Sequence, residues 1–345
     1  MNVQIALLLG QDGITNGAIY ALLALSILLV FTVTRILLIP MGEFVTYGAL
    51  TMAALQAGQS TALVWLLLAM TLADCAMDLY DAARASRRFR LPRRIALKLA
   101  YALTMLGLVH NLPLAQLPMA VQALLTLALV VPLGPQLYRL VFQPLAAASA
   151  LVLLIVSIAV HVAMVGIALL LFGPEGARTE PFSEAGLTLG PVTFNSQTLW
   201  VIAVSLTLII SLFLFFERSL YGKALRATAV NRMGARLMGI SPNLAGKATF
   251  AMAAFIGALS GILIAPITTL YFDSGFVISL KGFVGAIIGG LVSYPAAALG
   301  ALAVGLIEAF SMFWASTYKE IIVFTLIIPF LLWRSLTSRH VEDDE

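Results

Sequence analysis

ITNGAIYALLALSILLVFTV, Ile14 to Val33, runs for 20 residues without an Asp, Glu, Lys or Arg. The hydrocarbon core of a bilayer takes about 20 apolar residues to cross as an α-helix. A transmembrane barrel strand would instead alternate apolar and polar positions over about 10 residues, and this run does not. Two further windows, Ala150 to Phe172 and Ala248 to Leu270, are equally free of charge. Across the 345 residues 61% are hydrophobic and 10% charged, with a mean hydropathy of +1.02. An ordinary soluble domain carries about 25% charged residues. The composition therefore predicts an all-α, polytopic transmembrane bundle.

Working outward, apolar segments fall near 14–34, 37–57, 61–81, 95–112, 117–138, 150–172, 199–216, 247–270, 276–292, 295–314 and 320–335. They predict about 9–11 spanning or re-entrant helices in a single transmembrane domain over 1–345. If the N-terminus is outside and the segments alternate, 17 of the 20 Lys and Arg residues share one side, leaving Arg178, Lys281 and Lys319 on the other. Basic loops face the cytoplasm, so the C-terminus is expected inside and the net charge of +4 is a topology signal, not a nucleic-acid footprint. The N-terminal stretch lacks the basic region of a cleavable signal peptide and is expected to be retained. Cys75, the single cysteine, is read as a small buried hydrophobe.

The run Arg87 to Arg94, RRFRLPRR, is read as an anchor at the inner surface. Upstream, Asp74, Asp78, Asp81, Arg84 and Arg88 recur at three- and four-residue spacing, which predicts a charged helix face with pairing along it. Residues 173–198 are too polar to span and form the expected external loop. Its Glu175, Glu180 and Glu184 either dock an external partner or are simply solvated.

The segment 218–247 is polar and basic. From Lys223 to Met238 its residues are mostly good helix formers, with Ala229, Met233 and Leu237 expected on one face and Arg232 and Arg236 on another. Gly239 suits a left-handed helix stop, and Ser241-Pro242 suits an N-cap and first turn. The result is a short helix joined by a corner to a spanning helix, either a lever for an internal partner or a helix lying on lipid headgroups. Gly257 and Gly261, and Gly285 and Gly289, are spaced for close helix packing. No phosphate-binding loop, dinucleotide fingerprint, CxxC or HExxH motif occurs. His110, His161 and His340 share no metal-ligand spacing, and His161 is expected to be a hydrogen-bonded packing residue. A charge in the bilayer centre costs at least about 2.5 kcal/mol, so Glu308 is a candidate for a transport path or an interhelical bond. Glu43 is expected nearer the cytoplasmic end and hydrated. Pro266 and Pro329 should kink or interrupt their helices.

RATAVNRMGARLMGISPNLAGKATFAMAAFIGALSGILIAPI, Arg226 to Ile267, followed by KGFVGAIIGGLVSYPAAALGALAVGLIEAFS, Lys281 to Ser311, resembles the membrane subunits of bacterial branched-chain amino-acid ABC transporters of the LivH type. Leu237 to Ile240 matches that family's Leu-x-Gly-Ile, and Gly289, Gly290, Gly305 and Glu308 match its later glycine and Gly-x-x-Glu elements. Gly42-Glu43 and Gly48-Ala49 resemble its second segment. Residues 74–135 have no counterpart in the resemblance and are read as an insertion that adds a basic cytoplasmic loop and a helical hairpin. Leu38 to Met41 replaces the family's Asn-Phe-Ala-His, and Val230 and Asn231 stand where it commonly carries an acidic residue.

The resemblance implies an inner-membrane importer permease with no cofactor of its own and no enzymatic activity. ATP would be bound by separate cytoplasmic ATPase subunits, a second LivM-like permease would complete the pathway, and a periplasmic binding protein would deliver the cargo. Membrane lipid is the remaining partner. Arg226, Arg232, Met233, Arg236, Leu237 and Gly239 would couple to the ATPase; Gly257, Gly261, Gly285, Gly289 and Gly290 would pack helices; Glu43 and Glu308 would lie on the path. The rival is an ion-coupled secondary transporter in which Glu43 and Glu308 carry protons.

Overall fold

The computed structural model describes residues 3–85, 91–146, 148–183, 186–189, 192–291 and 293–337. Every apolar segment of the sequence is a helical unit. α1 (Val3–Thr34) and α2 (Met41–Gln56) lead, followed by α3 (Leu63–Ala85) and α4 (Leu91–Asn111). α5 (Met119–Val130) and α6 (Leu133–Leu137) run into a π-helical turn, Tyr138–Phe142, and α7 (Ala150–Phe172) comes next. α8 (Ser196–Arg218), α9 (Leu220–Val230), α10 (Arg232–Leu237) and α11 (Pro242–Ile264) precede α12 (Ser274–Ile288) and α13 (Tyr294–Ala315). α14 (Lys319–Thr325) and α15 (Ile327–Thr337) end the described chain. Among the described residues seven helical stretches are long and apolar enough to cross a membrane, and the chain is an all-α, multi-pass bundle. One short antiparallel hairpin, β1 (Gly186–Leu189) with β2 (Val192–Asn195), interrupts the loop before α8.

α1 is the centre of the bundle. Almost all of Ala18 to Val30 is buried, and α11, α12 and α13 pack around it. In lipid no hydrophobic force drives helices together, so close van der Waals approach must hold them. The glycines supply that approach: a side chain at Gly17 would come within 2.9 Å of the Leu302 backbone on α13. Gly257 and Gly261 open the contact between α11 and α2, facing Phe44 and Val45, and Gly285 and Gly289 open that between α12 and α13, facing Ala301 and Ala297. By contrast α7 and α8 leave most of their apolar surface exposed, as helices hydrophobic all round do when they face lipid or another subunit.

The helix starts follow cap chemistry. Ser149, Asn195, Ser219, Asn231, Ser241 and Ser293 each accept a backbone N–H of the turn they precede. Pro266 stands just past the end of α11, and Pro329 lies in the first turn of α15, after the break at Leu326.

Asn231 also corrects the sequence expectation of one helix from Lys223 to Met238. Its backbone is extended (φ −148°, ψ 102°), and its side chain caps α10 by accepting from Gly234 N at 2.8 Å. An Asn that competes for backbone donors splits the helix in two. Ala229 consequently packs with Leu225 and Phe216, whereas Met233 and Leu237 are exposed. The three do not share a face.

Candidate functional site

Glu43 lies in the first turn of α2, where a negative charge is favoured by the helix dipole. It is fully buried (0% exposed), not hydrated as the sequence implied, because all of Met41 to Leu50 is enclosed. Its Oε1 lies 2.8 Å from Nδ1 of His161 on α7, and its Oε2 is buried without a hydrogen-bond partner among the described residues. The His161 ring stacks on Phe276 of α12, centroids 4.3 Å apart. One turn earlier on α7, Ser157 Oγ donates to Leu37 O at 2.7 Å and accepts from Ile39 N at 3.0 Å. Two polar residues four apart thus hold the start of α2, Ser157 through the unwound link that leads into it and His161 through its first turn. Beside them is a cavity of about 330 Å³, lined by α1, that link, α7 and α12, in which His161 and Ser279 are the polar side chains.

A second buried cluster joins α1, α12 and α13. Lys281 Nζ lies 2.5 Å from Glu308 Oε1, and Tyr20 donates its hydroxyl to Glu308 Oε2 at 2.6 Å. Lys281 therefore does not sit in an outer loop, as its charge alone implied; its ammonium is buried against Glu308 and the Tyr20 ring. Glu308 makes an interhelical ion pair and does not line the α7–α12 cavity.

The third arrangement is the corner from α9 to α11. Arg226 donates to the Phe216 carbonyl and pairs with Glu217 at 3.0 Å. Arg232 donates to the Val33 and Thr34 carbonyls at the end of α1, where a cation is favoured. α10 closes with Ile240 N donating to Ala235 O and Gly239 N to Arg236 O, the left-handed Gly239 (φ +82°) between them. Val230 (87% exposed), Met233, Leu237 (81%) and Met238 project outward, with Arg236 among them.

Asp74, Asp78 and Asp81 on α3 pair with Arg139 of the π-turn, and Asp74 and Asp78 also with Lys98 of α4, at 2.5–3.3 Å. This pairing runs between helices; the pairing along α3 that the spacing implied would use Arg84 and Arg88, whose side chains lie outside what the structure describes. Arg87, Arg88 and Arg90 of the basic run lie outside the described residues, as do Glu184, Arg339 and His340. Glu175 and Glu180 are exposed, and Cys75 is buried and free.

A profile of the family described as the branched-chain amino acid transport system / permease component matches residues 11–331. The chain belongs to this family. Among its relatives, the high-affinity branched-chain amino acid transport system permease protein BraD of Pseudomonas aeruginosa is 27% identical over 208 residues, 58% of this chain and 68% of BraD. The corresponding permease protein LivH of Escherichia coli K12 is 32% identical over 145 residues, 41% of this chain and 46% of LivH. LivH of Salmonella typhimurium gives the same figures. The matched stretch thus spans about half the length of the LivH proteins. No solved structure matches the chain.

In this permease the residues that the sequence points to fall into separate places. Glu43 and Glu308, expected together on one path, belong to different buried clusters. Gly290, expected to pack helices, follows the end of α12 with a left-handed φ of +77°. His161 and Lys281 are the partners that sequence reasoning missed. A signal for His161 exists: Ser157 and His161 form the one polar stripe on an otherwise apolar α7.

Proposed function

We propose that this chain is the membrane-embedded permease subunit of an ABC importer for branched-chain or related hydrophobic amino acids. The observation that carries the reading is the α9–α11 corner. It presents exposed Val230, Met233, Leu237 and Met238 at one end of the bundle while Arg232 ties it to the end of the central helix α1. An apolar knob in water is unfavourable unless a partner covers it, and a knob hinged to the core is a lever. Alternating access needs such a two-position element between the energy source and the pathway.

Separate cytoplasmic ATPase subunits would seat on this knob, a periplasmic binding protein would deliver cargo at the opposite end, and a second LivM-like permease would complete the pathway in the inner membrane. The sequence holds no nucleotide-binding motif, so ATP would bind to the partners, and this chain would be no enzyme. On this reading 218–247 and the C-terminus are cytoplasmic and 173–198 is periplasmic. Residues 74–135 are an insertion on the same reading, clamped to the body by Arg139 through Asp74, Asp78 and Asp81.

Proteoliposome uptake tests this. The subunits that copurify with the chain are reconstituted with its binding protein, and uptake of radiolabelled leucine is measured with and without internal ATP. ATP-dependent uptake is expected. Uptake driven by an ion gradient with no ATPase present would establish the ion-coupled carrier instead.

A further inference from the structure

We propose that the cavity between α1, α7 and α12 is the cargo site of the importer, holding the aliphatic side chain of an α-amino acid against its walls and the α-ammonium against His161. The proposal rests on the importer reading and assigns its cargo a place. The cavity, about 330 Å³, is at the lower end of the range for small-molecule pockets. Ile27, Leu38, Leu154, Ile158, Leu280 and Phe283 wall it with branched and aromatic surface. The polar side chains at its edge, His161 and Ser279, are those of a site that fixes one head group and otherwise selects for apolar shape.

The head group follows from Glu43. Its Oε1 engages Nδ1 of His161, which leaves Nε2 as the ring nitrogen able to meet a ligand. A carboxylate that accepts the Nδ1 proton fixes the tautomer in which Nε2 is an acceptor. Stacking on Phe276 at 4.3 Å holds the ring plane, so the acceptor is positioned before any ligand arrives. Glu43 Oε2 meanwhile is buried with no hydrogen-bond donor among the described residues, so the carboxylate's charge is only partly compensated. An acceptor backed by an under-compensated negative charge suits an ammonium. The same surroundings would repel a carboxylate.

Accessibility of a single cysteine tests the assignment in the complete reconstituted complex. Cys75 is replaced by Ala, Ser279→Cys is introduced, and the rate of its alkylation by N-ethylmaleimide is measured. Leucine should slow labelling several-fold, and so should 3-methylbutylamine, which keeps the ammonium and loses the carboxylate. The deaminated analogue 4-methylpentanoate should not. Leu280→Cys is the second probe if Ser279→Cys does not assemble. Protection by 4-methylpentanoate and not by the amine would overturn the head-group assignment. No labelling at either position, or labelling slowed only by added phospholipid, would make the cavity a sealed or lipid-filled crevice and overturn the site. Wild-type uptake keeps the two readings apart: leucine transport without protection sinks the site alone, whereas no leucine transport sinks the importer and the site with it.

Discussion

Lys281 and Glu308, 27 residues apart in the chain, form an ion pair of 2.5 Å between α12 and α13. Both side chains are almost wholly buried, and Tyr20 of α1 completes the contact. A buried pair is costly to break and less costly to replace outright. Lys281→Met, which strands Glu308, should destabilise the chain by about 3–5 kcal/mol. The double variant Lys281→Met with Glu308→Met should recover most of that loss. Thermal midpoints in detergent, followed by size-exclusion chromatography, give the comparison. If the double variant also retains ATP-driven uptake, the pair is a helix pin; loss of uptake in a fully stable double variant would instead give Glu308 a part in ion coupling.

Gly261 touches α2 so closely that a Cβ would overlap the Val45 carbonyl. Backbone cannot move aside as a flexible side chain can, so Gly261→Val should cost at least the roughly 1–3 kcal/mol typical of overpacking. Gly166 on α7 has nothing within 4 Å of its Cβ position. Gly166→Ala should be neutral or should stabilise by up to about 1 kcal/mol through helix propensity. Expression level and thermal midpoint of the two variants, measured side by side, check the contrast.

Gly261 and Lys281 mark the two sides of what the amino-acid order makes legible. The helical class and the place of the apolar segments follow from their runs, because lipid forbids unsatisfied backbone, and the four-residue glycine spacing marks the packed faces; where each helix begins does not, since α1 starts at Val3 and carries Asp12. The break at Asn231 is not legible either, since an Asn suits a cap as well as a helix position and only the observed bond from Gly234 N decides between them. Partners distant in sequence stay hidden. Lys281 reads as a loop residue because a charge inside lipid is costly alone, and nothing local to SLKGF announces Glu308. Glu43 and His161 are 118 residues apart, and no local rule pairs them.

Arg139 holds Asp74 and Asp78 of α3, with side chains of both residues largely buried, and Lys98 of α4 shares the same two carboxylates. Arg139→Leu leaves two buried acids to one lysine. The expected result is a loss of about 3–5 kcal/mol, localised to the α3–α4 hairpin. Limited proteolysis should therefore cut between α3 and α4 in the variant at protease levels that leave the wild type whole. A uniform loss of protection across the chain would contradict this and show that the hairpin is integral to the central bundle.

Gly239 separates two kinds of damage, because its backbone is left-handed (φ +82°) while nothing lies within 4 Å of its Cβ position. A β-branched residue there meets no neighbour, so Gly239→Val acts only through backbone strain, about 1–2 kcal/mol. That is too little to unfold the bundle, yet it is applied where α10 turns into α11. Relief of that strain moves the corner off the geometry held by the Ile240 N to Ala235 O and Gly239 N to Arg236 O bonds. Membrane insertion and thermal midpoint should therefore stay near wild type, while ATP hydrolysis continues without stimulating uptake. Gly239→Asn, which tolerates the left-handed region better, should restore part of the coupling. The ratio of leucine transported to ATP hydrolysed reads this out directly: an unchanged ratio in Gly239→Val would mean that force reaches α1 by another route than the α10–α11 corner.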